Sequence, residues 1–369
     1  MIYLDSAATS LYKPRAVSQA MQRAMATMSS PGRGGHPAAM AAAETVYQCR
    51  EAAAELFHAP DPEHVVFTMN ATHGLNLAIH SLVQPGDTVV VSGYEHNSVT
   101  RPLHLRKARV RVASGRLFDP ESVLMDFRKM LPGAKAAVCT HVSNVYGFIL
   151  PMKEIAELCV RYGVPLIVDA SQSAGVLPVD MQALRAAFIA MPGHKSLLGP
   201  QGTGLLLCRG TGQPLISGGT GSQSVLQSMP EELPDRLEAG THNVPGIAGL
   251  REGIRYVAAR SGIIHEHERL LLRQLKQGLG DIPELELFYD KNERCQAGVL
   301  SLRSRKLDCE ELAQRLADRG VAVRAGLHCA PLGHRTGGTF DTGTVRFSFS
   351  PFNTEQEIQE TIRIMREIL

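Results

Sequence analysis

The sequence of 369 residues contains no run of 18 apolar residues, no C-x-x-C pair and no long run of like charges. The first absence leaves no candidate transmembrane helix. The opening stretch MIYLDSAATS also lacks the basic region and apolar core of a secretion signal, so a cytoplasmic location is expected. The second absence argues against a zinc ribbon, and the odd set of seven cysteines (49, 139, 159, 208, 295, 309 and 329) argues against a disulfide framework. Reduced thiols are expected. The third absence, with a net charge of only +2, offers no electrostatic footprint for nucleic acid or for an anionic membrane. Small molecules or protein partners are the expected ligands. Internal repeats, low-complexity segments and Gly/Ser linkers are absent too.

What is present describes a globular enzyme-sized chain. A hydrophobic content of 44 % against 20 % charged residues supports a large buried core, and the length suggests two domains or one large domain with an appendage. From about residue 64 to 208, short apolar runs alternate with helical patterns. HVVFT, TVVVS, VRVA, AAVCTHV, PLIVDA, AAFIAM and the LLLC of GTGLLLCRG read as strands, with helices at about 72–82, 98–107, 120–130 and 152–162. This alternation predicts an α/β fold with a mostly parallel sheet covered by helices on both faces, and ligands in such sheets bind beyond the carboxyl ends of the strands. After residue 250 the texture changes to charged helices, the strands AGVLSLRS, VAVRAG and TVRFSFS, a helix opened by Asp308 and Glu311 and stopped by Gly320, and a last helix capped by Thr354 and Glu357. A second, smaller α+β domain is expected there.

Most of the cysteines have a plain explanation. Ile155, Leu158, Cys159 and Tyr162 recur at helical spacing and predict one shared apolar face, while Cys139 and Cys208 sit in strand-like runs. Cys329 differs. It stands in GLHCAPLGH, a stretch with no strand or helix period, and loops are where functional residues concentrate. A metal is not expected, because adjacent side chains at 328 and 329 point opposite ways in an extended loop and no further Cys or His completes a zinc-like set. Cys329 is left as a nucleophile or a small loop residue.

Two charged residues fall at predicted strand ends. Asp169 closes PLIVDA, and 26 positions later Lys195 stands in MPGHKSLLGPQGTG, a Gly-rich loop after AAFIAM. The chain has only nine lysines, and the other eight lie in polar, solvent-like contexts. A desolvated lysine can act as a nucleophile toward a carbonyl. Singly, each has a plainer reading as a turn or cap residue; jointly, at one sheet edge, they suit pyridoxal phosphate, which needs a lysine for its Schiff base and a carboxylate for its ring nitrogen. The turn Asn70-Ala71-Thr72-His73, between a strand and a helix, offers donors for its phosphate.

The blocks YLDSAAT, EHNS, HVSNVYG, VDASQ, GHKSLLGPQGTG, LEAGTHN and VRFSFSPFNT, with RAGLHCAP (residues 324–331), resemble the cysteine desulfurases of the class V aminotransferase group, of the type with an R-x-G-x-H-C-A loop. The resemblance implies an aspartate aminotransferase-like large domain with a mostly parallel seven-stranded sheet (residues 13–250). A small domain of residues 1–12 and 251–369 would carry Cys329 and Arg346. It implies that Lys195 holds pyridoxal 5'-phosphate and shuttles protons, that Asp169 pairs with the ring nitrogen, and that Gln172 and Asn144 bond near its phenolic oxygen. His96 would stack on the ring and serve as acid or base. Ala71, Thr72 and His194 would hold the phosphate with Thr241 of the second subunit of a homodimer, and Arg346 would clamp the substrate carboxylate, with Asn144 beside it. Cys329 would take sulfur from L-cysteine as a persulfide, leaving L-alanine, with His328 or His334 as the nearby base.

The sequence also departs from this pattern. Pro192 stands where a phosphate-binding serine is common, His73 where many relatives carry an acid, and Pro331 arrives one residue early in a glycine-rich region. A sulfur-acceptor protein and a place in iron–sulfur cluster assembly are implied. L-selenocysteine remains an alternative substrate, and selenocysteine lyase, cysteine-sulfinate desulfinase, another class V enzyme or a non-enzymatic scaffold remain alternative functions. Lys195 and Asp169 together argue against the scaffold, which needs neither.

Overall fold

A computed structural model describes residues 1–32 and 34–369. Its largest sheet has seven strands: β1 (Val65–Thr68), β2 (Thr88–Ser92), β3 (Arg109–Ala113), β4 (Ala136–Thr140), β5 (Leu166–Asp169), β6 (Phe188–Pro192) and β7 (Gly204–Cys208). Their order across the sheet is β1-β7-β6-β5-β4-β2-β3, parallel except for β7, which runs antiparallel to both neighbours. Strands β4 to β7 are buried throughout, as their unbroken Val, Ile, Ala and Leu runs dictate for a sheet covered on both faces. Two apolar clusters occupy those faces, one built around Val90, Val168 and Ile189 and the other around Val91, Ile167 and Leu206.

The two edges are protected differently. On β3 the exposed Arg109 and Arg111 put charge on the edge strand. On β1 a buried ion pair covers it: Glu238 accepts from the Phe67 amide, and Arg50 donates to the Val65 carbonyl while gripping Glu238 at 2.7 and 2.8 Å.

A four-stranded antiparallel sheet lies later in the chain, with β8 (Leu285–Phe288), β9 (Val299–Ser304), β10 (Arg324–Gly326) and β11 (Thr344–Ser348) in the order β10-β11-β9-β8. A third apolar cluster backs it, drawn from Leu300, Phe347, Leu312 and Ile358 and joined by Leu4 from the other end of the chain. Ile2–Tyr3 pairs in parallel with Val321–Ala322, so VAVRAG is split between two sheets rather than forming one strand. No helix among the described residues is long and apolar enough to cross a membrane.

Three expectations need correction. Tyr162 is exposed, since it is the last residue before the left-handed Gly163 ends its helix, whereas Ile155, Leu158 and Cys159 are buried. Residue 250 lies inside a continuous helix, Val244–Ala258, whose buried face joins the cluster of the seven-stranded sheet. A boundary at 250 would cut that helix. Finally, not every other lysine is solvent-like: Lys13 is partly buried and donates to Ser10 O and Oγ, and burial lowers its pKa.

Candidate active site

Thr140, Asp169 and Pro192 are the last residues of β4, β5 and β6, and all three line one cavity of about 280 Å³. It opens where ligands of parallel sheets bind. Two helices aim their N-termini at it: α1 (Ala71–Leu82), capped by Asn70, and α2 (Asn97–Leu105), capped by His96. Of the residues assigned a cofactor role from sequence, Ala71, Thr72, His96, Asn144, Asp169, Gln172, His194 and Lys195 all line it. Thr241 does not. It is exposed and lines a neighbouring pocket of about 180 Å³ with Met69, His73 and Ile216.

Lys195 hangs on the tight loop between the antiparallel β6 and β7. The Gly193 amide donates to Thr203 O at 2.8 Å, and a Cβ at Gly193 would stand 2.2 Å from the Thr203 hydroxyl, so only glycine fits there. No protein acceptor among the described residues bonds the lysine Nζ. Desolvation, only partly opposed by Asp169, lowers its pKa to about 8. Asp169 spends Oδ1 on the amide (2.9 Å) and hydroxyl (2.5 Å) of Ser171, and among the described residues no donor bonds Oδ2. The pair therefore offers a depressed lysine and a free carboxylate oxygen to one enclosed space.

His96 is more constrained than the sequence suggested. The Ser98 amide donates to its Nδ1 at 3.1 Å, which leaves the proton of the neutral ring on Nε2. Burial holds its pKa near 4, so the ring is a neutral donor from Nε2, not a general base through Nδ1. His194 is held likewise near 4 by burial, with Lys195 and Lys13 adding repulsion, and its Nδ1 pairs with Thr9 Oγ1 at 2.9 Å.

Several expected contacts are satisfied within the protein. Gln172 Nε2 donates to Ala7 O at 3.0 Å, and Asn144 Nδ2 to His328 O at 2.8 Å. Arg346, almost wholly buried and outside the cavity lining, bonds Asp5 Oδ1 (2.7 Å) and Asn144 O (2.9 Å), and among the described residues its buried Nε–H has no partner.

Cys329 lies on a four-residue turn between β10 and a short helix that Pro331 opens at its first position. The Ala330 amide donates to Leu327 O at 2.8 Å, and His328 and Cys329 between them are both left-handed (φ 49° and 55°). They are not extended, so the expectation of opposite-pointing side chains at 328 and 329 falls away. The Cys329 carbonyl accepts from the Asn97 amide at 2.8 Å, which fastens the turn to the α2 N-terminus at the cavity rim. Cys329 is the one exposed cysteine. Neither histidine serves it as a base: His328 is buried against Thr344 (3.1 Å) and His334 against Thr339 (2.7 Å), and burial pulls both below the usual imidazole range. The polar neighbour of its sulfur is Arg324 Nη2 at 3.8 Å.

Sequence reasoning also missed Ser98, Ser171, Arg324 and the segment Asp5–Ser10. The block YLDSAAT signalled the last of these without showing that it bonds Gln172 and His194 of the site.

Residues 2–361 match the class V aminotransferase family model. The chain belongs to that family, whose members use pyridoxal phosphate. A probable cysteine desulfurase of Pyrococcus abyssi is 32 % identical over all of this chain and 94 % of its own, and a cysteine desulfurase of Escherichia coli is 30 % identical over all of this chain and 93 % of its own. Among solved structures, an apo cysteine desulfurase from Thermococcus onnurineus superposes with a TM-score of 0.91 at 32 % identity, covering all of this chain and 94 % of the other. The cysteine desulfurase CsdA from Escherichia coli, in an S-sulfonic acid form, gives 0.85 at 28 % identity, covering all of this chain and 95 % of the other. Within the family, the cysteine desulfurases are the group this chain is similar to, and the fold is theirs.

Proposed function

We propose that the protein is a pyridoxal 5'-phosphate-dependent cysteine desulfurase that moves sulfur from L-cysteine to Cys329 and on to an acceptor protein. The observation that carries this is the exposed Cys329 tied by a backbone hydrogen bond to the rim of a cavity holding Lys195 and Asp169. The residues present fit the cofactor: Lys195 and Asp169 have free polar atoms facing a cavity with two helix N-termini at one end. When bound, pyridoxal phosphate supplies an electron sink that stabilises negative charge on the substrate carbons. Lys195, Asp169, His96, Gln172 and Asn144 would hold its ring, and Ala71, Thr72 and His194 its phosphate.

The chain's own residues account for the remaining work. Lys195, depressed to about 8, is uncharged far more often near neutral pH than an ordinary lysine and can carry a proton to or from a carbon. Arg346 is the candidate for the substrate carboxylate, its buried Nε–H having no partner among the described residues. Cys329 attacks the substrate sulfur; the S–S bond forms as the C–S bond breaks, and carbon takes up the proton that the thiol loses. L-cysteine and the Cys329 thiol thus become L-alanine and the Cys329 persulfide. The other six thiols are pushed up by burial, Cys309 to about 11 and Cys49, Cys159 and Cys295 to about 12, which disables them as nucleophiles.

The exposed Thr241, three residues beyond the anchored Glu238, supports a homodimer in which it completes the phosphate site of a second subunit. Two domains divide after the helix Val244–Ala258, with residues 1–12 returning to the second. Seven free thiols suit a reducing cytoplasm, and iron–sulfur cluster assembly is a fitting destination for the sulfur. Assaying sulfide and alanine from L-cysteine, alongside L-selenocysteine and cysteine sulfinate, tests the activity. Turnover of only the other two substrates refutes it, and a fully active monomer in ultracentrifugation refutes the shared site.

A further inference from the structure

Three polar side chains at the cavity's helix end form a chain. Ser98 Oγ lies 2.7 Å from Thr72 Oγ1 and 2.9 Å from His96 Nδ1. Ser98 is buried, Thr72 is exposed, and both line the cavity with His96. Counting hydrogens orders the chain. His96 Nδ1 has one lone pair, and the Ser98 amide already donates to it. The better acceptor for the Ser98 hydroxyl is then Thr72 Oγ1, which is also nearer. With that lone pair occupied, the Thr72 hydroxyl proton is left to point into the cavity. The reverse direction would turn Thr72 lone pairs toward any anion there, so an anion selects the first. Pro192, on the same cavity wall, has neither a hydroxyl nor an N–H to offer.

We propose that Ser98 is a positioning residue of the cofactor site: its hydroxyl aims the Thr72 hydroxyl at the cofactor phosphate, while its backbone N–H fixes the His96 tautomer. This deepens the cofactor reading above and rests on it. Ser98 thereby compensates for the donor that Pro192 lacks, and it couples the phosphate end of the site to the ring end through one residue, by its side chain on one side and its backbone N–H on the other.

The test is equilibrium titration of the apo-protein with pyridoxal phosphate and, separately, with pyridoxal, which has no phosphate. In Ser98→Ala the dissociation constant for pyridoxal phosphate rises roughly tenfold to hundredfold, as expected for a hydrogen bond aimed at a charged group. That for pyridoxal stays within about twofold, because only the phosphate contact is touched. Thr72→Val behaves the same way, the double variant is no weaker than the worse single one, and Ser98→Thr retains affinity, because the two hydroxyls act as one unit. Equal losses for both ligands, or additive losses in the double variant, overturn the proposal and leave Ser98 a packing residue. If Ser98→Ala does not fold, Thr72→Val alone carries the comparison of the two ligands. Nitrogen NMR of the wild-type protein showing the His96 proton on Nδ1 overturns the tautomer half. Failure of the wild-type protein to bind either ligand is a different result, which sinks the cofactor reading itself.

Discussion

Replacing Glu238 by glutamine keeps its size and removes its charge, and the structure sets the cost. The Arg50 and Glu238 side chains are only 7 % and 3 % exposed, and Glu238 accepts from Arg50 twice, from the Phe67 amide and from His242 at 3.0 Å. Breaking such a pair leaves Arg50 buried without a counter-charge, which costs about 3–5 kcal/mol. The acid's own titration gives a second figure. Burial alone would raise its pKa, but the Arg50 guanidinium and the His242 and Arg50 hydrogen bonds outweigh that and bring it to about 2, against an ordinary 4.5. The difference corresponds to on the order of 3 kcal/mol. Because the folded-state value is the lower one, this stability is fully present above pH about 4.5 and drains away as the pH falls toward 2. Urea unfolding of the apo-protein should therefore show Glu238→Gln about 3 kcal/mol less stable at pH 7. The gap should narrow by roughly 1 kcal/mol at pH 3.5. A variant within 1 kcal/mol of wild type at pH 7, or a gap indifferent to pH, would refute the reasoning. Since Arg50 and Glu238 also close the free edge of β1, a softened edge should appear as faster amide exchange at Phe67.

Other outcomes follow from the cavity. The rate of covalent cofactor capture by the apo-protein should rise with pH to a plateau with a midpoint near 8, because the uncharged Lys195 is the nucleophile; a midpoint near 10.5 contradicts its desolvation. Lys195→Ala should leave no borohydride-reducible linkage to any lysine. Asp169→Asn should fold and bind cofactor yet turn over at least a hundredfold more slowly, as expected for losing a charge that acts on the reacting group; near-normal turnover excludes its role. Iodoacetamide should label one thiol of seven in the native protein, on the peptide containing Cys329, and mass spectrometry after L-cysteine should find the added sulfur there. Sulfur on another cysteine, or undiminished desulfuration in Cys329→Ala, would make Cys329 a mere loop residue.

The parts of the site legible in sequence were those fixed locally. Asp169 and Lys195 stand at the ends of unbroken apolar runs, and strand ends at the sheet's carboxyl edge follow from βα alternation alone. Thr72 announced itself because it stands in the first turn of the helix that Asn70 caps. What escaped depends on long-range pairing. Nothing near residue 5 shows that Asp5 meets Arg346, nor does the stretch around 324 show that its guanidinium reaches the Cys329 sulfur. His328 and His334 looked like bases because they adjoin Cys329 in sequence, yet the left-handed turn and the helix opened by Pro331 send both rings inward to threonines. Ser98 was hidden in EHNS behind its histidine, because its value lies in a contact with Thr72, 26 positions earlier.

The segment Asp5–Ser10 touches Arg346 and Ser348 of β11 on one side and Gln172 and His194 of the cavity lining on the other. Residues near position 5 are thus held in place by residues 341 positions later. The lysine loop and the strand carrying Asp169 precede β11 in the chain, whereas Asp5–Ser10, which holds Gln172 and His194 of the cavity lining, is itself anchored on β11. A nascent chain stalled short of that point should retain no cofactor, which fluorescence of arrested chains of stepped length can follow; retention in chains ending before β11 would disprove the order. Cofactor binding is in this way tied to the docking of residues 5–10 on β11, a contact that lies outside the cavity itself.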